Sequence, residues 1–243
     1  NGQRIWYLFS HAAAYADHPD HPGYLFFDPE TMQPSIDSPA WERALTEYAE
    51  LRAFGPADVD SLDSEAVRTR FAAGAAAMNL DWADTGVLAG DPHHSRIAGK
   101  VGFFRLPGSQ VVWNPVTQAW DRLPEPRSVT FLAFGGWIAV VPAASPNQQA
   151  AWSYILEFIS PVNSARDVLD GTTGINPYRP SQLQDRVPWH RLLGAQQADD
   201  YLQVLSDSLM APQTVPDLRL PGYRAYIAAL DQQLDRVLAG EIE

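Results

Sequence analysis

The side chains best suited to bind a ligand lie in the stretch FAAGAAAMNLDW, which ends at Trp82. An indole can cover the apolar face of a polar ligand, while the carboxylate of Asp81 and the amide of Asn79 bind its polar groups. A helix is predicted to end at Gly74, because glycine adopts the left-handed turn of a helix C-terminus without steric penalty. A short buried strand over 75–78 would then carry these side chains to its end, where α/β folds usually bind ligands.

Each of these residues also has an alternative role. Trp82 is suited to a place in the core, because tryptophan is highly buried on average. Asp81 is equally suited to a helix cap or a turn. For Asp84, two residues beyond Trp82, the cap or turn is the favoured interpretation.

A second candidate group is formed by Gly135, Gly136 and Trp137, and a third by Tyr178 and Arg179. The two glycines would let the backbone approach a ligand closely, and Trp137 has the same choice between ligand contact and core as other tryptophans. Arg179 lies in a loop rich in Gly, Pro and Asn, where a guanidinium can bind a pair of hydroxyls or a carboxylate. A salt bridge is the alternative for Arg179.

Two further tyrosines and a group of histidines are weaker candidates. For Tyr24 and Tyr223, packing is the favoured role and ligand contact the alternative. His11, His18 and His21 are close in sequence, but a zinc site needs three or four ligands that converge in fixed geometry. Two prolines favour a turn in this segment, so a solvated loop is favoured and no metal site is predicted.

Composition and motifs exclude several classes of function. The 243-residue chain carries a net charge of −12, which argues against a nucleic-acid partner, and it has no cysteine for thiolate catalysis or disulfides. It lacks the Gly-x-Ser-x-Gly, His-Glu-x-x-His and phosphate-binding glycine motifs. No catalytic residue and no cofactor are therefore predicted. A carboxylate pair for glycoside hydrolysis is the enzymatic alternative, because the chain contains 29 acidic residues.

Helix signals recur along the chain. Ser38 and Pro39 combine a capping hydroxyl with a proline at the first helical position, and Ser145 and Pro146 repeat the pattern. Apolar residues at helical spacing follow these starts. The segment 4–9 is compatible with a helix or a strand. Helices are predicted over 39–54, between 63 and 74, after 146, and over 163–169, 196–210 and 223–238.

Strands are predicted to alternate with these helices. The longest is 131–141, which is apolar almost throughout and is therefore expected to be buried on both faces. Shorter strands are predicted over 24–27 and 101–104, and a hairpin with Trp113 and Trp120 over 109–126. This alternation indicates an α/β fold.

Three stretches resemble a known family in their order and spacing. The first is Phe-x-x-Gly-x-Ala-Ala-Met at 71–78, followed by Trp82. The second is Gly-Gly-Trp-Ile-Ala-Val at 135–140 with the helix start at 145–152, and the third is Thr-Gly-Ile-Asn-Pro-Tyr-Arg at 173–179. Together they are similar to the extracellular solute-binding proteins of ABC importers, the family that includes maltose-binding proteins.

The resemblance implies a two-lobed, type II periplasmic-binding-protein-like α/β fold. It also implies that this chain is about the later half of such a protein, mainly the second lobe with a segment of the first. In this interpretation the two lobes can close over a ligand about their connecting segments. The implied divisions are 1–107 for the first part of the second lobe, 108–126 for the hinge and hairpin excursion, 127–173 for the first lobe, and 174–243 for the closing part of the second lobe.

The function implied by the resemblance is binding without turnover. The ligand would be a mono- or oligosaccharide or a related polar solute, delivered to the transmembrane subunits of an ABC permease. A monomer is expected, in the periplasm or outside the cell, with a lipid anchor to the membrane as an option. The alternatives are a carbohydrate-active hydrolase and a sensor domain that uses the same binding fold.

Overall fold

The computed structural model describes residues 3–242, which divide into two compact units. Unit 1 runs to Ser64 and includes Arg105–Gly135 and the chain from Ser208 onwards. Unit 2 consists of Glu65–Phe104 and Gly136–Asp207. The chain therefore passes between the units four times, and each unit is assembled from separate segments. The assignment of segments to first and second lobes stays a prediction.

Ten α-helices and four short strands occur among residues 3–242. Two single turns of 3₁₀-helix, Arg52–Phe54 and Val59–Ser61, complete the regular structure. The helices are α1 Arg4–Ala16, α2 Pro39–Leu51, α3 Ser64–Ala72, α4 Asp84–Gly90, α5 Gln148–Phe158, α6 Pro161–Asp167, α7 Pro180–Gln184, α8 Arg186–Leu193, α9 Ala195–Leu209 and α10 Tyr223–Leu238. The strands are β1 Ser109–Asn114, β2 Ala119–Arg127, β3 Thr130–Leu132 and β4 Thr214–Pro216.

The core of unit 1 forms around Phe9 in α1. Its ring makes edge-to-face contacts with Phe26, Trp41 and Phe131, at centroid distances of 4.9, 5.7 and 5.9 Å. Alanines in α1 and α2 are fully buried, which allows the two helices to pack closely. The segment 4–9, compatible with either structure in the sequence, is therefore helical because one of its faces is buried here.

The predicted hairpin is present as strands β1 and β2. They pair antiparallel with Trp113 opposite Trp120, whose rings lie 5.7 Å apart. The side chain of Asn114 organises the turn, because its Oδ1 accepts hydrogen bonds from the backbone N–H groups of Val116 and Thr117. The register shifts by a bulge near the start of β1.

The prediction of a long buried strand over 131–141 is wrong. Only β3 forms, in parallel pairing with β4. The strand ends because Phe134, Gly135 and Gly136 have φ values of 66°, 76° and 97°, which no extended strand tolerates. The apolar residues that follow face solvent, with Trp137 87% exposed.

Other short strands predicted from the sequence are also absent. Residues 75–78 are exposed and irregular, with Met78 87% exposed, and 24–27 and 101–104 form no strand in residues 3–242. A strand needs a hydrogen-bonded neighbour, and local composition does not reveal whether one is present. The cap at Gly74 is confirmed, because its φ is +80° and the Ala75 N–H donates to the Arg70 carbonyl in a Schellman arrangement.

The core of unit 2 forms around the buried Trp189 of α8. Val87 from α4, Val168 after α6, and Tyr201 and Leu202 from α9 are buried in the same cluster. Helices α9 and α10 match their predictions closely, whereas α8 was not predicted. Among residues 3–242, none of the helices combines the length and the apolarity that a membrane crossing requires.

Candidate ligand-binding site

An ion cluster in unit 2 includes the aspartates on both sides of Trp82. Arg68 of α3 donates from Nε and Nη2 to both carboxylate oxygens of Asp81, each at 3.0 Å. It also donates from Nη1 and Nη2 to Asp84, at 2.6 and 3.3 Å. The side chains of Asp81 and Asp84 are 3% and 5% exposed. The chain takes a left-handed turn at Gly74 after α3, and the hydrogen bonds to Arg68 show that both aspartates lie against this helix.

The hydrogen bonds of Asp81 fill its acceptor positions. Besides Arg68, the backbone N–H of Trp82 donates to its Oδ1 at 2.7 Å, and the amide of Asn79 donates to its Oδ2 at 3.4 Å. A carboxylate has about four lone-pair sites, and each oxygen here already accepts two bonds. Asp81 therefore fixes the backbone of Trp82, which remains half-buried.

The second carboxylate of the cluster, that of Asp84, has an unfavourable electrostatic environment. Burial raises the pKa of Asp84, the positive charge of Arg68 opposes this effect, and the negative charge of Asp81 adds to it, so that the pKa lies above its ordinary value. Asp84 is the first residue of α4, where the helix dipole favours a negative charge. The guanidinium of Arg68 thus binds both aspartates. It does not fully offset the effects of burial and of the Asp81 charge on Asp84.

The loop 171–179 packs tightly against α4. A Cβ added to Gly171 would lie 2.5 Å from the backbone nitrogen of Leu88, so only glycine fits there. A Cβ on Gly174 would lie 3.8 Å from Oδ2 of Asp84. The structure therefore brings the stretch with Asp81 and Trp82 next to the loop that leads to Tyr178 and Arg179.

Gln182 of α7 organises the end of this loop. Its Oε1 accepts hydrogen bonds from the backbone N–H groups of Tyr178 and Arg179, at 2.9 and 3.0 Å. The backbone carbonyl of Gln182 accepts a hydrogen bond from the indole N–H of the buried Trp189 at 2.7 Å. The guanidinium of Arg179 lies 5.3 Å above the ring of Tyr178 and donates to the carbonyl of Ile159 at 2.6 Å. Tyr178 is 52% exposed.

Four buried polar side-chain atoms in unit 2 have no hydrogen-bond partner among the described residues. They are Oγ1 of Thr85, Oδ1 of Asn176, Nε of Arg179 and Nε2 of Gln182. Three of them belong to the seven residues from Asn176 to Gln182. Sequence reasoning missed Asn176 and Gln182 as candidates, because only the three-dimensional burial reveals an unpaired polar atom.

The group Gly135, Gly136 and Trp137 lies in an exposed, irregular segment. Both glycines have positive φ, and a Cβ at either position would meet no atom within 4 Å. The division between the units falls between Gly135 and Gly136. Their role at a ligand stays a prediction, as does that of Trp137.

The tyrosine candidates of unit 1 have different surroundings. The hydroxyl of Tyr223 donates to Oδ2 of Asp217 at 2.9 Å, and the same oxygen accepts from the indole of Trp6 at 2.8 Å. Burial raises the pKa of Tyr223, and the hydrogen bond to Asp217 adds to this effect. Tyr24 is half-buried and precedes the buried Leu25.

The histidines near the N-terminus bind carboxylates within the protein. His11 lies 3.0 Å from Glu47, and His18 lies 3.2 Å from Asp121. His18 is buried, contrary to the expected solvated loop. Both of its ring nitrogens have partners, since Nδ1 accepts from the Asp20 N–H and Nε2 faces the carboxylate of Asp121. Residues 3–242 contain no group of three or more His, Cys, Asp or Glu side chains that could hold a metal ion.

An open groove of about 550 Å³ in unit 1 lies away from all predicted site residues. Trp120 of the hairpin and Arg43 of α2 are among the residues that line it. The groove is shallow, and Arg43 is already paired with Glu47 and stacked 4.5 Å over the ring of Tyr15. Unit 2, in contrast, contains four buried polar side-chain atoms without a partner among the described residues, together with the stretch that carries Trp82.

Two compact units, each built from separate chain segments, are the architecture of two-lobed α/β binding proteins. No protein-family model matches the chain, and the comparison with curated proteins gives no match. Among solved structures, the chain is similar to an ABC transporter solute-binding protein from Agrobacterium vitis S4 with bound D-mannitol, with a TM-score of 0.66 and 20% identity over 98% of this chain. The chain spans 54% of the length of that protein. The fold is therefore that of a solute-binding protein, as the sequence predicted.

Proposed function

We propose that the protein is the ligand-binding component of a bacterial ABC importer and that it binds a sugar or a related polyol without turnover. The observation that carries this proposal is the fold shared with a solute-binding protein that has bound D-mannitol. The exposed aromatic residues and buried polar groups of unit 2 support it, because polyols and sugars combine C–H surfaces with hydroxyls.

The proposed contacts are those expected from the sequence. They are Trp82, Gly135, Gly136, Trp137, Tyr178 and Arg179, with Tyr24 and Tyr223 in supporting positions. Asp81 is proposed to act through the backbone of Trp82, because its oxygens are already occupied by donors from the protein. No cofactor is needed for binding.

The wider proposal follows the family that the sequence resembles. The segments 1–107 and 174–243 would belong to the second lobe and 127–173 to the first, and the ligand would select the closed form by its higher affinity for it. The closed form would then deliver the ligand to an ABC permease, in the periplasm or outside the cell. A lipid anchor remains part of this proposal, as does a monomeric state.

A thermal-shift screen tests the proposal. The purified protein is heated with D-mannitol, other hexitols, mono- and oligosaccharides, amino acids and divalent metal ions. A ligand at 100 times its Kd stabilises the native state by about 2.7 kcal/mol, which for a chain of this length raises Tm by about 5–10 °C. A shift with a polyol or sugar and no product supports the proposal. Conversion of the sugar favours the hydrolase, and a shift with metal alone contradicts the proposal.

Two tryptophan variants test the site. We expect Trp82→Ala and Trp137→Ala each to weaken the Kd of the ligand found in the screen by at least about 10-fold, because truncation of an aromatic contact removes 1.4 kcal/mol or more. Trp152→Ala is the matched control, since Trp152 is 52% exposed on α5 and is not a proposed contact. Unchanged affinity in both test variants, with folding intact by circular dichroism, would remove this site assignment.

A further inference from the structure

We propose that Asn176 and Gln182, together with Arg179, bind the hydroxyl groups of a neutral polyhydroxylated ligand. This inference rests on the proposed function and adds two residues to its site. It starts from the buried polar atoms of the segment 176–182 that have no partner among the described residues.

The orientation of the Gln182 amide is fixed by its surroundings. Its Oε1 accepts from two backbone N–H groups, those of Tyr178 and Arg179, at 2.9 and 3.0 Å. The oxygen and nitrogen of the amide therefore cannot exchange places without loss of both bonds. Gln182 is only 5% exposed, and its Nε2 group carries two N–H donors that no described residue accepts.

The other two unpaired atoms of the segment are a hydrogen-bond donor and a hydrogen-bond acceptor. Nε of Arg179 is a donor and Oδ1 of Asn176 is an acceptor, and both are buried and unpaired among the described residues. Arg179 uses its Nη2 on the Ile159 carbonyl, so the guanidinium is anchored while Nε remains available. The segment thus offers donors from two residues and one acceptor.

These donors and this acceptor can be matched by some classes of ligand and not by others. A hydroxyl group both donates and accepts, so the hydroxyls of one ligand can supply acceptors for Gln182 and Arg179 and a donor for Asn176. A carboxylate only accepts and would leave the oxygen of Asn176 unpaired. An ammonium group only donates and would leave Gln182 and Arg179 unpaired. Of these three classes, the one that fits is a neutral polyol or sugar.

The place of the segment in unit 2 supports this role. Buried unpaired polar groups are rare in native proteins and lower stability, so several in one short segment call for a partner. The loop that precedes them packs against α4 beside Asp84, close to the stretch with Trp82. The three atoms are shielded from solvent, so a ligand must displace part of the loop to reach them. Tyr178, in the same loop, is 52% exposed.

Affinity and stability of three variants test the inference, with D-mannitol and the best hit of the sugar and polyol screen as probes. Asn176→Leu removes the unpaired acceptor at similar volume, and Asn176→Asp keeps it. We expect Kd by calorimetry to weaken about 10-fold in Asn176→Leu and to stay within about 3-fold in Asn176→Asp, while Tm without ligand is unchanged or higher in Asn176→Leu. Gln182→Glu keeps the acceptor for both backbone N–H groups but loses the donors, so its affinity should also fall about 10-fold.

The control is Gln184→Glu, on the exposed side of the same short helix, which should bind as the wild type does. If Asn176→Leu and Gln182→Glu bind as tightly as the wild-type protein, the three atoms have no role in binding and the inference is overturned, while the proposed function stands. If the wild-type protein binds no polyol or sugar, the proposed function fails and the inference fails with it.

Discussion

Replacement of Arg68 with Met tests whether one guanidinium holds the stretch before Trp82 in place. The substitution keeps most of the side-chain volume and removes the charge together with four hydrogen bonds, at 2.6 to 3.3 Å. It leaves two carboxylates, 3% and 5% exposed, beside each other without the guanidinium that binds both.

The expected loss follows from the burial of the pair. Removal of one partner from a buried ion pair costs about 3–5 kcal/mol, because the remaining charge is buried without compensation. Asp81 keeps its donors from Trp82 and Asn79, so we expect the lower end of this range, about 3 kcal/mol. For a chain of this length that loss lowers Tm by about 6–12 °C.

Urea unfolding of wild type and variant, followed by circular dichroism and tryptophan fluorescence, measures this loss. Arg166→Met is the matched control, because Arg166 is 77% exposed with an ion pair at 3.8 Å and should change stability by less than about 0.5 kcal/mol. The loss in Arg68→Met should shrink as the pH falls, because burial raises the pKa of Asp84 and protonation of this carboxylate removes its repulsion with Asp81. A loss below about 1 kcal/mol at pH 7, or one that does not depend on pH, would refute the argument.

Two further changes probe the same region. Gly171→Ala should lower the free energy of unfolding by about 3 kcal/mol, because its Cβ would lie 2.5 Å from the backbone of Leu88. Gly99→Ala is the control, because a Cβ at this position would meet no atom within 4 Å and the substitution costs only the strain of φ +77°, about 1 kcal/mol. Equal losses of unfolding free energy in Gly171→Ala and Gly99→Ala, measured by urea unfolding, would contradict the steric argument. Asp84→Asn should remove a pH dependence: the raised pKa means that charged Asp84 lowers stability above this pKa. Wild type should therefore gain stability relative to Asp84→Asn between pH 7 and pH 4, and an opposite slope would refute this assignment.

The helices could be predicted because their signals are local. Helix α2 begins at Pro39, directly after Ser38, although the Ser38 hydroxyl makes no capping hydrogen bond. Gly74 follows α3 with the expected left-handed conformation. Helix α8 was not predicted, and Pro188 lies in its first turn, where proline is tolerated. Helix α5 was predicted, but its apolar side chains, such as Tyr154 at 72%, are exposed. Periodicity predicts the helix and does not reveal what covers its face.

The candidate site could be predicted only in part. Asp81, Trp82, Tyr178 and Arg179 were predicted from residue type and from resemblance, and their two segments lie next to each other at α4, while their role at a ligand stays a prediction. The partner of Asp81 is Arg68, 13 residues earlier along the chain, and no local pattern indicates that pair. The unpaired atoms of Asn176 and Gln182 depend on which backbone groups reach them, which is a property of the folded chain.

The strand predicted over 131–141 does not form, and the contacts of Phe134 explain why. A bulky residue at φ 66° is strained by about 1–2 kcal/mol, and a purely local preference would keep this apolar run extended. The carboxylate of Asp217 opposes that preference, because it accepts a hydrogen bond from the Phe134 N–H at 3.2 Å. The Phe134 ring also packs edge-to-face on Trp6, at 5.5 Å, and the indole of Trp6 donates to the same carboxylate oxygen. Contacts from α1 and from the segment after β4 thus hold the turn, and neither is near it in sequence.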